Sequence, residues 1–172
     1  VTRFILGGVH AGWGNYADVV ADMPNTPVAD ERAGTDMLYS SGTTGQPKGI
    51  RFPLPEDANI AAPNVLAGLA MMAFKFSGDS IYLSPAPLYH AAPLRHTMVT
   101  IRTGGSAVIM PKFDAETALA LIDEHRITHS QWVPTMFVRL LKLPEETRRR
   151  YALGSMTMAV HAAAPRQAAY GS

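Results

Sequence analysis

The chain has 172 residues and a mass of 18.5 kDa, with 47% hydrophobic and 17% charged side chains. That length suits about one domain of roughly 150 residues, able to bury roughly 68–70% of its unfolded surface, so composition excludes intrinsic disorder. With 15 Lys and Arg against 14 Asp and Glu there is no basic field for a nucleic-acid backbone, and with no cysteine there is no disulfide framework, CxxC zinc site or cysteine nucleophile.

Short apolar runs alternate with longer helical patterns, the signature of an α/β sheet built from crossover units with about five or six strands. Arg3 to Leu6 reads as a first strand and Asp36 to Ser40 as a second, joined by a Pro- and Asp-rich surface connection from Asp22 to Asp36. Glu56 to Phe76 carry Ile60, Val65, Leu66, Leu69, Met72 and Phe76 at helical spacing, with Pro63 in the first turns, where proline is tolerated. The stretch from Ile60 to Phe74 is the most apolar in the chain. Pro63 and Asn64 interrupt it, and it falls short of the roughly 20 residues of a membrane span, so it reads as a buried helix.

Ile81 to Leu83 then forms a strand that enters Pro85-Ala86-Pro87-Leu88-Tyr89-His90, a loop held extended by its prolines, and a helix follows through Leu94 to Ile101. Gly104-Gly105 ends that helix and Ala107 to Met110 makes another strand. Asp114 caps a helix from Ala115 to His125 bearing Leu119, Ile122 and Arg126. Thr128 to Val133 is the next strand, Pro134 takes the first position of a helix through Leu143, and Met156 to Val160 is the last strand. The Arg148-Arg149-Arg150 run after Pro144 reads as a solvated helix face. The chain opens Val1-Thr2-Arg3, and Phe4-Ile5-Leu6 is too short for a signal-peptide core. Its ends read as cut rather than native, and the expected compartment is the cytoplasm.

The most informative segment is Tyr39-Ser40-Ser41-Gly42-Thr43-Thr44-Gly45-Gln46-Pro47-Lys48-Gly49-Ile50, directly after a predicted strand. Gly42, Gly45 and Gly49 can adopt positive φ and let backbone N–H groups close around an anion. The hydroxyls of Ser40, Ser41, Thr43 and Thr44 add donors, and those of Ser40, Thr43 and Thr44 are candidate magnesium ligands. Lys48 supplies a point charge suited to phosphate oxygens. A Walker A loop is excluded, because Pro47 and Gly49 flank the lysine where that motif needs Gly and Ser or Thr. His125 and His129 are separated by a helix end and a strand start, with no HExxH frame, and no Gly-x-Ser-x-Gly elbow occurs. Trp132, Met136 and Phe137 read as core residues, with pocket walls as the alternative.

The segment Tyr39 to Ile50 resembles the phosphate loop of the adenylate-forming enzymes, the family of acyl-CoA synthetases, firefly luciferase and peptide-synthetase adenylation domains. In the same order, Pro87-Leu88-Tyr89-His90 resembles the family segment that borders the acyl pocket and the reacting carboxylate. Val133-Pro134-Thr135 resembles the opening of a pocket-lining helix. Ala162-Ala163-Ala164-Pro165 resembles the turn flanking adenine, with Ala162 and Ala163 in place of glycines.

The resemblance implies an incomplete α/β/α part of the family's large N-terminal domain, with a mostly parallel sheet flanked by helices. It implies the use of ATP, magnesium and coenzyme A, formation of an acyl-adenylate from a carboxylic acid, and transfer to the thiol. It assigns catalytic roles to Lys48 and His90, the latter orienting the carboxylate. It assigns nucleotide contacts to Ser40, Ser41, Gly42, Thr43, Thr44, Gly45, Lys48, Ala162, Ala163, Ala164 and Pro165. The residues around Tyr89, Ala91, Ala92 and Met136 suggest an apolar acid.

The family's Tyr-Gly-x-Thr-Glu segment, ribose-binding aspartate and C-terminal-domain lysine are not found in the 172 residues, and Tyr170-Gly171 follows Pro165 too closely to be the first of these. The expectation is a fragment of the N-terminal AMP-binding domain over 1–172, without the C-terminal domain. It would be inactive alone and prone to self-association through unpaired strand edges. Two alternatives stand beside the acyl-CoA synthetase reading: an amino-acid or aryl-acid adenylation domain, and a non-catalytic nucleotide- or pyrophosphate-binding module.

Overall fold

A computed structural model describes residues 2–40 and 48–161. The chain divides into two units, 1–62 and 63–172.

In the first unit, β1 (Phe4–Ile5) pairs in parallel with β2 (Gly14–Asn15). Asn15 caps α1 (Tyr16–Ala21), its side-chain oxygen accepting from the Ala17 N–H at 2.8 Å. Segment 22–36 carries no regular element, as its Pro and Asp content predicts. β3 (Met37–Ser40) and β4 (Lys48–Arg51) then form an antiparallel hairpin. β1 falls within the strand predicted from Arg3 to Leu6, whereas β2, α1 and β4 are not foreseen from hydropathy. They are short and largely exposed, so no apolar period marks them.

In the second unit, α2 (Val65–Phe74) starts at an Asn64 N-cap, whose side chain accepts from the Ala67 N–H at 3.0 Å. The helix therefore begins well after Glu56, because an asparagine behind a proline favours the cap over continued helix. α2 carries no charged residue. It buries Ala67 and Ala70 and leaves Val65, Leu69 and Met72 exposed. Lys75, in the left-handed conformation at φ 61°, ends the helix, and Phe76 behind it is buried.

Then follow β5 (Ile81–Ser84), α3 (Ala91–Arg102), β6 (Ser106–Ile109), α4 (Ala115–Glu124), β7 (His129–Trp132), α5 (Pro134–Leu141), α6 (Glu145–Arg149) and β8 (Met158–His161). α3 starts three residues before the predicted Leu94, since Pro93 lies in its first turn, where no intrahelical N–H is needed. Asp114 caps α4 as predicted, accepting from the Thr117 N–H at 2.9 Å and its hydroxyl at 2.8 Å. These bonds, the backbone one first, hold the Asp114 carboxyl below the usual aspartate range. The arginine run is only partly a solvated face. Arg149 pairs with Glu145 along α6, while Arg148 donates to the Leu143 carbonyl and Arg150 to Glu116.

β5 to β8 form a parallel sheet in the order β6-β5-β7-β8, the predicted α/β arrangement. Because strand side chains alternate, each face has its own core. Leu83, Val108 and Trp132 pack with Ala118, Ile122 and Met136 of α4 and α5. Tyr82 and Ala107 pack with Ala70 and Val99 of α2 and α3. Complete burial of Leu83 and Ile127 contributes about 1.5–3 kcal/mol each. Gly104, at φ +87°, turns the chain from α3 toward β6, and Gly105 lies against the Ser80 carbonyl, where a Cβ would approach its oxygen to 2.5 Å.

Candidate active site

The hydroxyl- and glycine-rich segment spans the β3–β4 hairpin. Ser40 and Lys48 pair across its base, and Tyr39 pairs with Gly49. Lys48 is thus an exposed strand residue rather than a loop residue, its position set by the ladder. Gly49 corrects an expectation, because it sits in β4 without positive φ. Its lack of a side chain serves close packing instead: a Cβ there would run into the Met37 methyl and lie 3.2 Å from the Tyr39 ring. Ser41, Gly42, Thr43, Thr44 and Gly45 lie outside the described residues, as do Ala162, Ala163, Ala164 and Pro165.

In the second unit the sheet order creates a crevice. The chain leaves β5 through α3 to β6 on one side, and leaves β7 through α5 to β8 on the other. Between the carboxyl ends of β5 and β7 the winding reverses, and ligands of open α/β sheets bind at such a point. His90 and Val133 are the N-caps of the two helices that diverge there, and neither helix has a side-chain cap bond. By contrast α1, α2 and α4 are capped by Asn15, Asn64 and Asp114. The N–H groups of Ala91 and Ala92 at the start of α3 are therefore left to other acceptors, with the helix dipole favouring an anion. α5 instead opens on Pro134, which has no N–H, and its Met136 N–H bonds to the Val133 carbonyl at 2.9 Å. His90 is exposed, beside the Tyr89 ring at 4.5 Å between centroids. Its side chain is committed to no cap.

The structure separates residues that sequence reasoning had grouped. Ala91 and Ala92 line a cavity of about 260 Å³ between α2 and α3, with Leu66, Leu69, Phe74 and His96. Met136 belongs to the core on the opposite face of the sheet, and Tyr89 is 82% exposed. Trp132 is core, 2% exposed, with Phe137 packed against the same cluster, so the core reading of these two holds.

Buried polar residues on the α2/α3 face escaped the sequence reading. His129 is fixed as the Nε2–H tautomer, because Nε2 lies 3.0 Å from the Phe74 carbonyl, which can only accept. Nδ1 then accepts from the Thr128 hydroxyl at 2.7 Å. Burial lowers the His129 pKa below the usual histidine range, and the bond to Phe74 offsets part of that shift. The imidazole therefore acts as a neutral strut tying the end of α2 to β7. A signal was present in the sequence: His129, Ser130 and Gln131 form a polar triplet in a predicted strand, and a polar run in a central strand calls for partners.

The sequence profile of the AMP-binding enzyme family matches residues 11–171, spanning the hairpin, the crevice and the sheet. The chain belongs to this family. It is 34% identical over 113 residues to the 2-succinylbenzoate–CoA ligase of Arabidopsis thaliana, covering 65% of the chain and 19% of that protein. It is 31% identical over 135 residues to 4-coumarate-CoA ligase 1 of Narcissus pseudonarcissus, covering 74% of the chain and 23% of that protein. Its structure is similar to the crystal structure of ATP-bound MatB from Rhodopseudomonas palustris, with a TM-score of 0.64 and 30% identity over 90% of this chain and 29% of that one. The chain thus spans about a fifth to a quarter of the length of these curated relatives. The AMP-binding family assignment bears out the resemblance read from Tyr39 to Ile50 and the parallel α/β fold it implied.

Proposed function

We propose that the chain is part of the large N-terminal domain of an acid–thiol ligase, which activates a carboxylic acid with ATP to an acyl-adenylate and passes the acyl group to coenzyme A. The observation that carries this reading is the Tyr39–Ile50 segment held on a hairpin with Lys48 and Ser40 paired at its base. The relatives, named as CoA ligases, support it. In this proposal residues 1–172 work only within a longer polypeptide of this kind, in the cytoplasm.

The roles follow from the chemistry of the groups. Lys48, fixed in register on β4, would hold the β- and γ-phosphates and offset charge developing on the departing pyrophosphate. Ser40, Ser41, Thr43 and Thr44 would donate to the same oxygens, Gly42 and Gly45 would let backbone N–H groups approach them, and Ala162 to Pro165 would flank the base. His90 and the N-terminus of α3 would orient the carboxylate at the crevice. Magnesium, when bound, would supply charge neutralisation through the nucleotide's phosphates, with the hydroxyls of Ser40, Thr43 and Thr44 as its proposed protein ligands. Among the described residues there is no cluster of three or more acidic or histidine side chains to cage it.

Replacing Lys48 with Ala in the longer protein lowers ATP-dependent pyrophosphate release by about 100-fold or more, the range for losing one preorganised charge-stabilising group. Unchanged release would overturn the role of the hairpin. In an acyl-hydroxamate assay the 172-residue chain alone yields no product; turnover there would overturn the assignment of 1–172 as a partial catalytic unit.

A further inference from the structure

The ten residues of α2, Val65 to Phe74, fall into two stripes on opposite sides of the helix. Ala67, Ala70 and Phe74 share the side turned to the core, where the two alanines are only 7% exposed. Val65, Gly68, Leu69 and Met72, spaced i, i+3, i+4 and i+7, share the other, where Val65 is 89% and Met72 78% exposed. A helix on the surface of a globular domain turns its apolar stripe inward and its charged and polar side chains outward. α2 does the reverse, burying its small residues and turning its large apolar ones out. α3, α4, α5 and α6 each carry charged side chains, whereas α2 has none, and Leu66 and Met71 widen its exposed apolar surface on either flank.

The outer stripe is complementary to itself. When two copies of α2 run antiparallel about a two-fold axis between Gly68 and Leu69, Val65 of one copy meets Met72 of the other, and Leu69 of each meets Gly68 of its neighbour. Two pairs of large side chains then close the ends, and in the middle each leucine enters the gap over a glycine. Gly68 has room for this, since a Cβ built on it meets nothing within 4 Å. No charge lies on the stripe to repel its own image, and a charged partner would find nothing there to pair with. Val65, Leu66, Leu69, Met71 and Met72 offer roughly 100 Å² each, so two copies together cover about 1,000 Å², the size at which an interface becomes specific.

We propose that α2 is a self-association surface, through which two copies of this chain pack their Val65, Gly68, Leu69 and Met72 stripes antiparallel. This surface is separate from the open sheet edges at β6 and β8, through which the sequence alone suggests association. It does not depend on the ligase reading.

The test follows the 172-residue chain by size-exclusion chromatography with light scattering over a dilution series. The expected result is a dimer at high concentration that dissociates on dilution. Leu69→Lys and Met72→Lys each raise the dissociation constant at least about tenfold. Both positions are exposed, so the urea midpoint of the dilute chain stays where it is. Met72 does not line the cavity between α2 and α3, and its variant carries the test if Leu69→Lys does not fold. Gly68→Leu, which meets only open space in a single copy, fills the gap and weakens the dimer likewise. Val65→Lys combined with Met72→Glu restores the dimer that either change alone breaks, because the antiparallel register sets each lysine opposite a glutamate. A monomer at every concentration, with the stripe taken by another segment of the polypeptide or left to water, would overturn the proposal. So would a dimer unmoved by the α2 variants, one broken by Ile109→Lys at the β6 edge instead, or a charge pair that fails to restore it.

Discussion

Thr128 stands where β5, β7 and β8 meet, and replacing it with valine removes one oxygen at nearly constant volume. Its hydroxyl accepts the Ile81 N–H at 2.9 Å and donates to His129 Nδ1 at 2.7 Å. Its backbone carbonyl accepts from Thr157 and Met158 at the start of β8 and is untouched by the change. Thr128→Val therefore leaves one donor and one acceptor without partners. A buried group stranded in this way costs about 1–3 kcal/mol. Thr128 is half-buried, so the lower part of that range applies, and the pair costs about 2–3 kcal/mol. With a urea dependence of about 2 kcal/mol per molar, the midpoint falls by about 1–1.5 M. The probe is the fluorescence of Trp132, buried in the same unit, in a Trp13→Phe background. A midpoint shift under about 0.3 M would refute the reasoning, since it would mean that the hydroxyl holds neither group.

The same strut makes the second unit acid-labile. Because His129 is held neutral with its pKa below the usual value, the unfolded chain takes up a proton that the folded chain refuses once pH drops under about 6.5. Stability is then constant above that pH and declines as pH falls toward the depressed folded value. Urea midpoints at several pH values report it, and His129→Gln flattens the profile; an equal slope in wild type and variant would count against the strut. Gly105→Ala forces a Cβ onto the Ser80 oxygen, which accepts the Ser106 N–H at 2.9 Å, and destabilises by about 2 kcal/mol or more in the same assay. Gly68→Ala, in the interior of α2 with open space around it, stabilises by about 0.5–1 kcal/mol, so the two changes of identical chemistry move the midpoint in opposite directions.

The second unit was readable from sequence because its elements obey strong periods. Asp114 announces α4, Pro134 announces α5, and the apolar runs at Ile81 and Ala107 mark two parallel strands, the first largely buried and the second at the sheet edge. The hairpin partner β4 was hidden, since Lys48-Gly49-Ile50-Arg51 is exposed throughout and pairs by backbone alone. The family was legible for a different reason: its hydroxyls, glycines and lysine follow one another in fixed order along the single segment Tyr39 to Ile50. Pocket membership was not, because it depends on which face of the sheet a residue takes. Met136 and Ala92 sit in helices following different strands, and only the β6-β5-β7-β8 order sends those helices to opposite sides.

That division has a consequence for how such a domain can change over generations. The face with α4 and α5 holds the larger apolar cluster, so its residues answer chiefly to folding. The face with α2 and α3 holds the cavity and the buried polar groups Tyr82, Gln131 and His129. Substitutions that reshape the cavity between α2 and α3 can accumulate on the second face while the first keeps the sheet assembled. A lineage could thus change the lining of that cavity without passing through an unfolded ancestor.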